Sequence, residues 1–155
     1  MYFSVDSFHW VYLINIGNFI LLKFLPAYLA TILVMFVLDI IWLSMIAQPI
    51  YQQGIGHLMA AKPNLLFAGL FYLVYVFGIM WFALMPNRHH KGFKNTFIAA
   101  ATFGFFVYAS YDLTNLALLK DWPLGLSLID ITWGTALSGV SASMGKWVFN
   151  RQNRI

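Results

Sequence analysis

The stretch LPAYLATILVMFVLDIIWLSMIA, residues 25–47, decides the fold. At about 1.5 Å of rise per helical residue it covers the roughly 30 Å hydrocarbon core of a bilayer. Asp39 is its one charged residue. Three further runs of the same kind follow at 65–85, 96–119 and 126–149. Across the 155 residues, 61% are hydrophobic and 9% charged, and the mean hydropathy of +0.75 lies outside the range of soluble globular domains. These features predict an all-α, polytopic integral membrane protein: a four-transmembrane-helix bundle over residues 25–155. Residues 1–24 precede it as an amino-terminal arm. Within the arm WVYLINIGNFILLKF, residues 10–24, carries Asn15, Gly17 and Asn18 and runs straight into Pro26, which reads as an interfacial helix rather than a fifth span.

Charge sets the orientation. All but Lys62 and Lys120 of the nine Lys and Arg residues fall in the arm (Lys23), the second connection (Arg88, Lys91, Lys94) or the tail (Lys146, Arg151, Arg154). By the positive-inside rule both termini are cytoplasmic. Basic residues between apolar runs orient a membrane chain, so the net charge of +4 gives no reason to expect a nucleic acid partner. Cysteine is absent, which removes disulfides, thiolate metal sites and thiol nucleophiles. The His89–His90 pair has no further ligands near it, and the sequence asks for neither a metal nor a cofactor. The first connection, QPIYQQGIGHLMAAKPN, puts Tyr51, Ile55, Leu58 and Met59 on one helical face and reads either as a lid over the outer mouth of the bundle or as a short helix on the headgroups.

All five acidic residues are aspartates. Asp39, Asp112 and Asp130 fall inside spans, and alternating helix directions bring them to one shallow layer on the non-cytoplasmic side. An acid inside a membrane costs up to about 2.5–3.5 kcal/mol at the helix centre and normally faces the bundle interior or a wet cavity. Three at one depth therefore predict a shared polar pocket. The stripe Ala100, Gly104, Tyr108, Asp112, Asn115 and the stripe Asp130, Gly134, Ser138, Ala142, Gly145 predict a bundle tight toward the cytoplasm and hollow toward the outside. The tetrads DIIW (39–42) and DITW (130–133) lie on antiparallel helices, which places Asp39 level with Trp133 and Asp130 level with Trp42, an indole N–H facing each carboxyl. Asn64, Tyr72 and Tyr75 reach the same region from the second span, with His57, Lys62 and Lys120 at its rim. The candidate ligand-binding or proton-handling residues are Asp39, Asp112, Asn115, Asp130, Trp42, Trp133, Asn64, Tyr72, Tyr108, Tyr111 and His57.

The motifs LDIIWL, LMAAKPN, YDLTN and DITWG, in this order and on these helices, resemble the bacterial inner-membrane family known as domain of unknown function 2177. The likeness spans about residues 27–145. It implies a four-helix protein of the bacterial inner membrane, and its motif residues here are Asp39, Trp42, Pro63, Asn64, Tyr111, Asp112, Asn115, Asp130, Trp133 and Gly134. It implies no particular chemistry.

Three functions compete for the pocket. The first is binding of a small polar or cationic solute or a lipid headgroup, extending to proton-coupled transport, with a homodimer supplying the exit that one tight bundle lacks. The second is a membrane-embedded lipid-modifying enzyme with an aspartate acid/base pair. The third is a non-catalytic structural subunit whose polar residues fix helix packing. Interhelical hydrogen bonds in membranes average only about 0.6 kcal/mol, so three acids are a costly way to hold helices in register.

Overall fold

The computed structural model describes residues 7–153, with side chains from Leu22 onward. Every regular element among them is helical. Helix α1 (Ser7–Trp42) passes through a π-helical turn (Leu43–Ala47) into α2 (Gln48–Ile55), which ends in a 3-10 turn (Gly56–Leu58). Helix α3 (Leu65–Ile79) closes with a second π turn (Met80–Leu84), and α4 (Lys94–Leu118) and α5 (Leu124–Asn153) complete the bundle. The arm is thus helical from Ser7 and continuous with the first span, Pro26 lying inside α1. The side chains that would show whether it rests on an interface lie outside the described residues.

Three segments are long and apolar enough to cross a membrane: Leu22–Leu58, Leu65–Leu84 and Lys94–Leu118. Their outward faces are a nearly unbroken hydrocarbon surface, with Leu29, Leu33 and Phe36 exposed on α1, Phe67, Val74 and Phe77 on α3, and Phe106 and Leu113 on α4. Water does not tolerate so large an apolar patch, whereas acyl chains do. Helix α5 is less apolar because it is the hub. It packs along α4 and α1, and it buries Ser127, Asp130, Ser138, Ser141 and Lys146 in the interior. Its polar groups meet protein, so its fit to the membrane does not depend on its average hydropathy.

Small residues set the α4–α5 spacing. A Cβ on Gly104 would strike Ser138 and the carbonyl of Gly134, and one on Gly134 would strike the ring of Tyr108. On the opposite flank Gly145 lets α1 approach, its missing Cβ leaving room for Thr31. Both stripes read from the sequence therefore face inward: Ala100, Gly104 and Asp112 are buried on α4, and Asp130, Gly134, Ser138, Ala142 and Gly145 on α5. At the end of the bundle that carries the basic loop, buried Lys146 donates from Nζ to the carbonyls of Asn87 and Arg88, at 2.9 Å each, and Asn150 Nδ2 donates to Lys91 O at 2.8 Å. The second connection is thereby tied to α5 by side chains that donate to its carbonyls, of which Asn87 O also accepts from His90 N at 3.1 Å.

The face expected on the first connection survives only in part. Helix α2 ends at Ile55; Tyr51 and Ile55 are half-buried, while Leu58 and Met59 lie beyond it and are exposed. Gly54 brings α2 against the start of α5, where an added Cβ would sit 3.0 Å from Pro123 Cγ. The turn between α4 and α5 is completed by Asp121 at φ 63°, a left-handed conformation that Asp adopts more readily than most residues.

Candidate functional site

The three helix-borne aspartates converge. Asp39 is 7% exposed, Asp130 6% and Asp112 0%, and Asp130 lies within electrostatic reach of both others. Their surroundings differ. Asp39 accepts from Tyr72 Oη on one oxygen (2.9 Å) and from Trp133 Nε1 on the other (3.0 Å), so α1, α3 and α5 meet on one carboxyl. Asp130 accepts from the hydroxyl of Tyr51. Asp112 faces Ser127 and Trp122, yet neither of its oxygens has a hydrogen-bond partner among the described residues. The Trp122 indole is turned instead to Ser127 Oγ at 3.0 Å. Asn115, on the same stripe of α4, is half-buried with Nδ2 likewise unpartnered.

The indole pairing expected from the two tetrads is half realised. Trp133 serves Asp39, as the antiparallel register requires. Trp42 does not serve Asp130. It stacks on Trp133 with ring centroids 4.4 Å apart and planes 9° from parallel, leaving its Nε1 buried without a partner among the described residues. Tyr51 takes its place, and a π turn explains how. At about 100° per α-helical residue, the chain from Asp39 to Tyr51 would leave Tyr51 about 120° off the face of Asp39. The extra residue absorbed by a π turn, here at Leu43–Ala47, cuts that to about 20°. Tyr108 lies over Gly134 and within the field of Asp39 and Asp130, and Tyr75 stands edge-on to it, with 6.2 Å between ring centroids.

Three expected site residues stand apart. Tyr111 is 58% exposed and meets only the edge of Trp122 within the cluster of aromatic rings, at 6.0 Å. Its neighbour Asp112 takes the inward position, and successive helical residues point about 100° apart. His57 is exposed in the 3-10 turn. Asn64 caps α3, its Oδ1 accepting from Leu66 N (3.1 Å) and Phe67 N (3.4 Å), so its polar group is spent on the helix terminus. The hollow mouth is not what the packing displays: the rings of Trp42, Trp133, Tyr51, Tyr72 and Tyr108 crowd the layer around the carboxyls. Apolar grooves lie on the flanks, about 360 Å³ between Val34, Phe93 and Trp147, 340 Å³ between Tyr28, Phe77 and Trp81, and 530 Å³ between Leu33, Phe36 and Gly69. None of the three is lined by an aspartate.

Tyr51, Trp122 and Ser127 are the site residues that sequence reading left out. Ser127 stands three residues before Asp130 on α5, a spacing that put it within reach of the same pattern. The sequence places Tyr51 only on the lid-or-headgroup face of the first connection, and the π turn is what aligns it with Asp130.

A family model described as "Predicted membrane protein (DUF2177)" matches residues 24–147. No curated protein and no solved structure matches the chain.

Proposed function

Because the chain belongs to this family of predicted membrane proteins, whose model runs from the first span into the fourth and includes all three clustered aspartates, we propose that it is a multi-pass protein of the bacterial inner membrane, both termini cytoplasmic, that receives a small polar or cationic solute, or a lipid headgroup of the same chemistry, at Asp112 from the non-cytoplasmic side. Proton movement through the same carboxyls accompanies that binding. One observation carries the reading: Asp39 and Asp130 are tied by Tyr and Trp donors, whereas fully buried Asp112, with Ser127 and Trp122 beside it, has no donor in hydrogen-bonding geometry on either oxygen among the described residues. A buried carboxyl without partners costs several kcal/mol unless something neutralises or pairs it. A proton does so in one state and a cationic group in the other. Asn115 Nδ2, about one turn along α4, offers a donor to an acceptor atom on the same solute. A primary ammonium with a nearby hydroxyl or ester oxygen suits both, and such a group is found on free amino alcohols and on aminophospholipids.

A second reading is supported for the other two acids. Asp39 gathers three helices on one carboxyl and Asp130 holds α2 to α5. Both act as structural ties that shape the site around Asp112.

Protein in lipid nanodiscs tests the proposal, with ethanolamine as the probe. Ethanolamine should raise the melting temperature and shield Asp112 from a hydrophobic carbodiimide. Asp112→Asn should fold normally and lose the thermal shift. An equal shift in the variant, or none for any small ammonium, refutes the reading.

A further inference from the structure

We propose that the α4–α5 interior carries a hydrated proton path from the aspartate cluster to the basic end of the bundle, relayed by Ser138, Ser141 and Thr96 and closed by Lys146. The proposal rests on the reading of the cluster as a proton- and cation-handling site, and it supplies the exit that the small-residue inner half otherwise denies. Helical hydroxyls out of water normally donate to the carbonyl one turn back, and here buried Thr31 and Ser138 and half-buried Thr135 and Ser143 all do so. Ser141 and Thr96 do not. Both are 0% exposed, and the hydroxyl oxygen of each lacks a partner among the described residues. Buried polar groups without protein partners are where ordered water is held.

Helical register places both hydroxyls between the cluster and the basic end. Tyr75 Oη shares a 2.8 Å hydrogen bond with Ser138 Oγ and stands in the field of Asp39, which links the file to the cluster. Ser141 follows one turn along α5. The antiparallel register that sets Gly104 against Ser138 and Tyr108 against Gly134, continued toward the basic end, brings Ala100 opposite Ala142 and Thr96 opposite Lys146. Ala100 and Ala142, both fully buried, thus stand between the Ser138 level and the Thr96–Lys146 level. Each hydroxyl or water takes a proton from the aspartate side and passes its own onward, so no charge accumulates and one proton enters and leaves per cycle. Lys146 holds the far end through two carbonyls, which leaves one ammonium proton for the file. It can release a proton to loop-side water and regain one from Thr96, while its charge repels a bare metal cation.

Proteoliposomes loaded with a pH dye and polarised with potassium and valinomycin test this. Wild-type protein should admit protons faster than protein-free vesicles. Thr96→Val with Ser141→Ala should fall to the protein-free rate, and the conservative pair Thr96→Ser with Ser141→Thr should retain flux. Flux unchanged in the Val/Ala variant overturns the path. Melting temperature is a second readout: if the hydroxyls are dry, replacing them with apolar groups raises it, and such a rise also overturns the path. Ethanolamine binding, measured on the same proteins, separates the two proposals. Binding retained with no wild-type flux removes the path alone, whereas flux without binding removes the solute site and keeps the path.

Discussion

The tie at Asp39 yields the most quantitative prediction. Two donors from different helices, Tyr72 on α3 and Trp133 on α5, converge on a carboxyl of α1 that is 7% exposed. Hydrogen bonds to a charged acceptor contribute about 1.5–3 kcal/mol in soluble proteins, while interhelical bonds in membranes average about 0.6 and reach about 1.7 kcal/mol. The low exposure places Tyr72→Phe toward the upper membrane value, a loss of about 1.5 kcal/mol. Trp133→Phe removes a donor of the same kind and weakens the 4.4 Å stack on Trp42, a pair worth about 0.5–1.5 kcal/mol, so about 2 kcal/mol is expected. After either single change the other donor still holds Asp39. The double variant strands the carboxyl and should cost at least about 0.5 kcal/mol more than the sum, the lower bound for coupled neighbours. Asp39→Asn supplies the control, since its amide can still accept from Trp133 and donate to Tyr72, and it should cost less than either donor deletion. The assay is reversible unfolding in mixed dodecylmaltoside and sodium dodecyl sulfate micelles, followed by far-ultraviolet circular dichroism. Both single variants unfolding like wild type, or a double variant additive to within about 0.3 kcal/mol, would mean that Asp39 is not a shared acceptor.

Asn64→Ala should cost about 1 kcal/mol through loss of the α3 cap, with ethanolamine binding unaffected, which a thermal-shift titration checks. Gly134→Ala forces a methyl into the ring of Tyr108 and should destabilise by about 1–3 kcal/mol, read as a lowered unfolding midpoint in the same micelles. Lys146→Met removes the ammonium that ties the carbonyls of Asn87 and Arg88 to α5, leaving Asn87 O only its loop bond from His90 N, and should make the 85–93 loop cleave faster in limited proteolysis at unchanged overall helicity. Tyr111→Phe touches a side chain that faces away from the carboxyls and should stay within about 0.5 kcal/mol of wild type.

The site was legible wherever helical periodicity alone determines direction. Asp39 against Trp133, and the Gly104 and Gly134 close approach, follow from residues spaced three or four apart on straight helices, and those relations hold here. The reading failed where geometry departs from that period or where a local bond competes for the side chain. Tyr51 reaches Asp130 because of a π turn, and Asn64 looks like a pocket residue until its oxygen is seen to cap α3. Tyr111 and Asp112 are adjacent in one motif, yet only one of them can face inward.

What the sequence determined by itself was the solvent: chains of apolar residues long enough for a bilayer leave the backbone no option but helices, because each N–H and C=O must be bonded within its own segment. It also determined that acids in those helices must turn inward. Which of the three carboxyls would be saturated and which left free was decided only by the tertiary structure. That outcome depends on where Tyr51, Tyr72 and Trp133 arrive in space, and hydrogen bonds extend over about 3 Å, a tolerance that one inserted residue in a helix is enough to exceed.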